Sequence, residues 1–509
     1  MRSWHLKRER YVPEEEGWRE ALFTLGNGYF ATRGCAPECV ADGVHYPGTY
    51  LAGGYNRLQT EMAGRTIENE DLVNLPNWLP LRVRAEGESW FHVDQAELRD
   101  YCQRLDTQRG VFARDLSFVD GQGRITRLSE RRLVHMRAPH LAAIALDVTA
   151  ENWSGTLEIA AALDGRVVNG NVERYKQLAS RHLVSVASES QDERLFLRMR
   201  TSQSALEVAQ AARTRIYRGD ELAGNAWVAE STPDRVAAHT KLEIARGETV
   251  RIEKIVALYT SRDRGFSEPG LAARETVDSV PRFAELLTGH ELAWRQLWRR
   301  FGTDWKLAEG QDDGDIQLAV KLHVFHLLQS VSMNSEDLDV GVPARGWHGE
   351  GYRGHIFWDE LFIFPLLNLR IPEITRALLM YRVRRLQRAR RNAGEAGFRG
   401  AMFPWQSGSD GREETQQVHL NPESGHWLPD NSSLQRHVNI AIAYNVWHYH
   451  EVTHDEEFLA YHGAEMFLEI ARFLASLATY DEANDRYEML GVMGPDEYHE
   501  GYPDPVSYT

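Results

Sequence analysis

From about residue 75 to residue 262, apolar and polar side chains alternate in short runs: GTLEIAAALDG, HLVSVASES, RLFLRMRT, ALEVAQAARTRIY and TVRIEKIVALYTSR. Alternation sends successive side chains to opposite faces of a strand, and each run is bounded by Gly, Asp, Asn or Ser, which favour turns. The pattern predicts a multi-stranded β-sandwich. ALFTLGNGYFATRG adds a strand–turn–strand around Gly26-Asn27-Gly28, so the sandwich is expected to begin near Leu22.

After Arg264 the apolar period lengthens to three and four. GLAARETVDSVPRFAELLTGHELAWRQLWRRF predicts a helical linker. DIQLAVKLHVFHLLQSVSMN, PEITRALLMYRVRRLQRARRNA, SLQRHVNIAIAYNVWHYHEV and DEEFLAYHGAEMFLEIARFLASLA each predict one helix. Long loops rich in glycine and aromatics, 335–358 and 393–432, join them. Loops longer than about 12–15 residues in a compact domain usually carry function. The expected organisation is a β domain over 1–264, a helical linker over 265–314 and a helical domain over 315–509.

Composition narrows the function classes. The 58 basic and 74 acidic residues leave a formal charge of −16, which repels phosphate backbones and argues against nucleic acid. No run reaches the roughly 18 apolar residues of a membrane span. The amino terminus, MRSWHLKRERYVPEEEG, lacks the apolar core of a signal peptide, so a cytoplasmic protein is expected. Cys35, Cys39 and Cys102 are an odd count that suits a reducing compartment. Two thiols without close histidines make a poor metal site, and no metal is expected.

HEVTH at 450–454 matches the two-histidine zinc motif, whose chemistry needs both histidines on one continuous helix. Here the apolar period fades after Val452, and Asp455 reads as the cap of the next helix, which places His454 outside. GVPARGWHGEGYRGHIFWDELF, residues 341–362, ends on Trp358 and Asp359. An indole covers an apolar sugar face and a carboxylate accepts from hydroxyls, yet Asp359 reads equally as a helix cap. FRGAMFPWQSGSDGREETQ repeats the formula with Trp405, Ser407, Asp410 and Glu414. Gln435, His437 and Asn439 interrupt an apolar helix and are expected to be satisfied core polars. In GPDEYHE, Glu497 stands between Asp496 and Glu500, whose charges would raise its pKa toward that of a proton donor.

LGNGYFATRG, YPGTYLAG, ENEDLVNLPNWLPL, GEGYRGHIFWDE, PWQSG and GVMGPDEYHE occur in one order along the chain. Together they resemble glycoside hydrolase family 65, mostly inverting phosphorylases of maltose, trehalose, kojibiose or nigerose. The resemblance implies an N-terminal β-sandwich (a supersandwich), a helical linker, an (α/α)6 barrel and a C-terminal β domain. It implies Glu497 as general acid and Trp358 and Asp359 around the non-reducing glucose. Trp405 and Gln406 would face the leaving sugar, and Arg353, His355, Glu414 and His437 complete the expected substrate-binding set. It further implies attack by inorganic phosphate, a co-substrate, with release of β-glucose 1-phosphate and no cofactor; homodimers are common in the family. The alternatives are inverting α-glucoside hydrolysis and an inactive glucoside-binding fragment. Six helix pairs need roughly 350 residues. Fewer than 200 follow Asp315, so a C-terminally truncated barrel with exposed apolar helix faces is expected.

Overall fold

The alternating runs form strands close to where the pattern puts them. In the computed structural model, which describes residues 4–62, 64–302, 314–421 and 423–494, ten strands build an antiparallel sheet. Its spatial order is His5–Arg8, Glu97–Asp106, Val111–Val119, Ile125–Val134, Leu141–Ala150, Thr249–Thr260, Glu207–Arg218, Arg194–Thr201 and Leu183–Gln191. The short strand Glu221–Leu222 pairs back onto Glu207–Arg218. A second sheet carries Val228–Thr232, Arg235–Ile244, Gly155–Asp164 and Leu81–Ala85.

A helix that the alternating pattern does not announce, α1 (Pro13–Leu22), precedes these strands. Pro13 opens it and Glu14, Glu15 and Glu16 fill its first turn, where the helix dipole favours negative charge. Two more helices, α2 (Pro269–Ser279) and α3 (Phe283–Phe301), occupy the expected linker. They explain why LAAIALDVTA is almost continuously apolar. Ala142, Ile144, Leu146 and Val148 pack into the interior that the second sheet closes with Leu157 and Ile159. On the opposite face, Leu141, Ala143 and Ala145 are covered by Ala272, Ala273, Val277 and Phe283. Both faces of this strand are dry, so one parity is no longer reserved for polar residues.

The helical region follows with α4 (Gly314–Ser330), α5 (Glu360–Arg370), α6 (Pro372–Arg384), α7 (Leu386–Glu395) and α8 (Val438–Thr453). Its last helix, Ala464–Leu477, is entered through a turn at Glu456–Phe458 and a π turn at Leu459–Gly463. The run 372–393, expected as one helix, breaks at Arg385. That residue turns aside to donate to Asp339 (2.9 Å) and to the Ser409 carbonyl (2.5 Å), above the Tyr381 ring at 3.6 Å. Helix α8 begins five residues later than its apolar pattern, because Gln435–His437 belong to its irregular approach.

The two regions share one core, with Trp294 of α3 stacked on Phe325 of α4 at 4.6 Å. LGNGYF is the docking element. Gly26 and Gly28 donate their backbone N–H to Gln329 (2.6 and 2.8 Å), and the Asn27 carbonyl accepts from Ser332 (2.6 Å) and Asn334 (2.7 Å). Gly28 has φ +87, and a Cβ there would lie 2.4 Å from Ser332 Oγ. The helical region also leaves large apolar side chains exposed: Phe362, Leu369, Trp447, Tyr461 and Leu468. Among the described residues no helix is long and apolar enough to cross a membrane.

Candidate active site

Three loops converge beside the start of α8. Backbone bridges tie Ile356 to Ser407 and Ser407 to Glu413, so the segment before α5 and the segment after α7 hold each other. Trp358 and Trp405 arrive on these two segments with ring centres 6.3 Å apart. His437 lies between them, 4.7 Å from Trp358 and 5.0 Å from Trp405. Phe357 supports Trp405 edge-on at 5.3 Å. Glu413, half-buried, fixes the second indole by accepting from the N–H of Trp405 (2.7 Å) and Gln406 (3.1 Å).

The polar groups here differ in how far they are satisfied. Asn439 behaves as a core polar: its oxygen accepts from Phe403 N–H (2.7 Å) and its amide donates to the Phe403 and Arg436 carbonyls. Gln435 and His437 do not follow it. Among the described residues both amide atoms of Gln435 are buried without a hydrogen-bond partner, and the buried His437 ring has only the Met493 backbone beside it. Buried polar atoms left unmatched in this way are costly to hold unless a ligand meets them. Burial pushes the His437 imidazole below its ordinary pKa, so it stays neutral and offers one donor and one acceptor, as a sugar hydroxyl does.

Asp359 stands at the N-cap position of α5 yet makes no side-chain cap bond, so the capping alternative does not describe it. Burial raises its pKa against a weaker pull from Arg345. Its neighbour Glu360 is the structural acid, taking Val342 N–H (3.2 Å) and Arg382 (3.1 Å). Fully buried His355 meets Gln406 Oε1 at 3.2 Å, and its Nε2 has no partner among the described residues. Trp358, Asp359, Trp405, Gln406, His355 and His437 therefore sit in one region.

Arg353 and Glu414 point elsewhere. Arg353, in left-handed backbone at φ 57, pairs with Asp71 at 2.8 Å and lies over Tyr175 at 4.2 Å. Glu414 receives both prongs of Arg57, at 2.9 and 2.7 Å. Asp71 and Arg57 belong to the hairpin Tyr55–Met62/Arg65–Leu72, which the sequence pattern did not announce. Both residues thus brace the catalytic-side loops against the N-terminal domain. Glu497, the expected proton donor, lies outside the described residues. Met493 N–H donates to the Leu434 carbonyl at 3.0 Å, which brings the chain leading to Glu497 alongside Gln435 and His437.

The zinc motif fails as its geometry predicted. His454 leaves α8 with φ 54 as its C-cap, and Asp455 caps the next turn by accepting from Phe458 N–H at 2.8 Å. The absence of a histidine near the thiols is corrected: His45 folds beside Cys35 and Glu20, with ligand atoms within 4.8 Å of one another. His45 there is already engaged by Glu20 (2.9 Å) and Tyr11 (3.1 Å).

Comparison with known proteins places these features in a wider frame. Residues 6–297 match the glycosyl hydrolase family 65 N-terminal domain, and residues 321–509 match the family's central catalytic domain. A Mycobacterium tuberculosis glycosyl hydrolase described as uncharacterized is 46% identical over 98% of this chain and 37% of its own length. Trehalose 6-phosphate phosphorylase of Lactococcus lactis is 35% identical over 97% of the chain and 62% of its length. Kojibiose phosphorylase of Caldanaerobacter subterraneus is 34% identical over 98% and 63%. A solved structure named as a candidate kojibiose phosphorylase from the human microbiome superposes with a TM-score of 0.82 at 20% identity, covering 98% of this chain and 63% of that one. The chain thus spans 37% to 63% of the length of these relatives.

Proposed function

The chain belongs to glycosyl hydrolase family 65, and on that premise we propose that it acts in the inverting phosphorolysis of an α-glucosidic disaccharide of the trehalose, maltose or kojibiose type. The observation that carries this reading is the pair of indoles flanking His437 beside Gln435, whose buried amide atoms lack partners among the described residues. Trp358 and Trp405 supply the aromatic faces that sugar rings stack on, and neutral His437, Gln435 and Asp359 supply donors and acceptors for hydroxyls. The helices that carry them form part of an (α/α)6 barrel in this proposal.

In the proposed reaction Glu497 donates a proton to the interglycosidic oxygen as that bond breaks. Phosphate attacks the anomeric carbon from the opposite face, giving β-glucose 1-phosphate and a free sugar. Phosphate is the nucleophile, so no second carboxylate is required to activate water. Names of the relatives in the trehalose 6-phosphate and kojibiose phosphorylase groups favour this chemistry over hydrolysis.

The test incubates the purified chain and its Glu497→Gln variant with trehalose, maltose and kojibiose, with and without phosphate. Phosphate-dependent sugar release that falls roughly 10²- to 10⁴-fold in the variant supports the reading. Equal glucose release without phosphate would establish hydrolysis instead.

A further inference from the structure

In the second sheet, Leu157, Ile159, Ala161 and Leu163 point into the sandwich, so the even-numbered positions of Gly155–Asp164 face outward. On that outer face the register sets Arg82 opposite Ala160 and Ala237 opposite Ala162. These short side chains leave a hollow that longer ones would fill. Val40, Pro47, Pro80 and Val167 wall it, and it encloses about 460 Å3, a volume typical of small-molecule sites.

Two polar side chains lining this cavity are unmatched. Arg82 is half-buried and forms no ion pair or hydrogen bond among the described residues. Its strand neighbour Arg84 differs: it is registered with Glu158 and pairs with it at 2.6 Å. Asn77 is 4% exposed, and its oxygen accepts from Leu79 N–H at 3.0 Å. Its amide nitrogen donates to no group among the described residues. The Asn77 backbone is fixed by reciprocal bonds with Asp164, at 2.7 and 3.0 Å, so the amide is held in place. Among the described residues Asp164 is the one acid lining the cavity, and Arg166 takes both of its oxygens, at 2.8 and 2.5 Å. Arg235, at the cavity wall, meets exposed Glu230 at 3.2 Å. Three guanidinium groups thus face one carboxylate, in a chain whose formal charge is −16. A concave site lined by one sign of charge concentrates ions of the other.

We propose that this cavity on the outer face of the second sheet binds a small organic oxyanion, a phosphate monoester or a carboxylate, with Arg82 and Asn77 as its donors. The planar fork of arginine meets two oxygens of either group at once, and the Asn77 amide supplies a further N–H. The carbon body of the ligand lies over Ala160 and Ala162, against the proline and valine walls. The site is separate from the Trp358–Trp405 region, and the inference does not rest on the sugar assignments. It does adjoin the domain seam. The loops that wall it lead into Tyr46 and Val168, and the Tyr46 hydroxyl sits between the Val168 carbonyl (2.8 Å) and the Glu350 carboxyl of the segment before α5. A bound anion therefore braces, from the outside, the loops that hold that segment.

Calorimetric titration of the full chain with glycerol 3-phosphate, glycerate and glycerol, combined with hydrogen–deuterium exchange, tests the site without requiring turnover. At least one of the two anions should bind about 10- to 100-fold tighter than glycerol and slow exchange in the loops at 40–47 and 165–167. Arg82→Met should lower that affinity by about 10-fold or more with an unchanged melting midpoint, since Arg82 supports no other group, and Arg82→Lys should fall between. Asn77→Asp keeps the acceptor for Leu79 N–H, replaces the donor with a negative charge, and should abolish binding. Tighter binding of glycerol 3-phosphate assigns the site to phosphate monoesters, and tighter binding of glycerate assigns it to carboxylates. Anions binding no better than glycerol would overturn the inference. So would full affinity in Arg82→Met, or slowed exchange confined to the segments carrying Trp358 and Trp405, because the anion would then occupy the catalytic side.

Discussion

Arg57 reaches out of the N-terminal hairpin to grip Glu414, with Glu70 a further 3.3 Å from the same guanidinium. The Arg57→Met variant keeps most of the stem and removes the charge, stranding two carboxyls that are 5% and 4% exposed. Breaking a buried pair from one side costs about 3–5 kcal/mol. Burial already holds Glu414 at about 7 against an ordinary 4.5, with Arg57 pulling the other way. A carboxyl raised in this way binds more protons folded than unfolded, so its contribution to stability is lost as pH climbs from 4.5 through 7. Without Arg57 it rises further, and acid protects the variant by neutralising the stranded groups. The expected loss is about 3 kcal/mol near pH 8 and about 1 kcal/mol near pH 5. Urea unfolding followed by tryptophan fluorescence, at both pH values, reads these losses from midpoint and slope. In a double-mutant cycle, Arg57→Met with Glu414→Gln should lose less at pH 8 than Arg57→Met alone, since an amide needs no counter-charge. A loss independent of pH, or strictly additive single variants, would refute the reasoning.

Three further substitutions separate structural from chemical roles. Asn439→Ala leaves the Phe403 N–H without its acceptor and should cost about 1–3 kcal/mol in the same unfolding assay. Gly28→Ala meets both positive φ and a 2.4 Å clash with Ser332, so thermal melting should fall by an amount equivalent to at least about 1–3 kcal/mol, and an unchanged midpoint would contradict the docking role of LGNGYF. His454→Gly relieves left-handed backbone at a helix C-terminus and should stabilise by roughly 0.4–1 kcal/mol with activity intact, whereas a zinc ligand would lose function.

Period-two alternation made the strands legible wherever one or both faces of the sheet are filled regularly, as in Gly155–Asp164 and Thr249–Thr260. Breaks imposed from a distance were not legible. Arg384-Arg385 continues an unbroken helical pattern, and what ends α6 is a set of bonds to Asp339 and Ser409 contributed by other segments. The hairpin at 55–72 carries Arg57, Glu70 and Asp71 on short polar runs, and its stability comes from partners more than 280 residues away. In the site, the indoles stood out through their motifs, whereas His437 read from its pattern as a satisfied core polar. Gln435 looked like a routine core amide, because burial without a partner is a property of the assembled loops. The one local signal was three successive polar residues, QRH, at the head of an apolar helix.

Proton NMR of the anomeric region during a reaction with phosphate and the preferred disaccharide tests the central claim most directly. Growth of β-glucose 1-phosphate in step with free sugar, and only when phosphate is present, is the predicted result. An α-configured sugar phosphate, or free glucose appearing at the same rate in phosphate-free buffer, would contradict inverting phosphorolysis at the Trp358–Trp405 site.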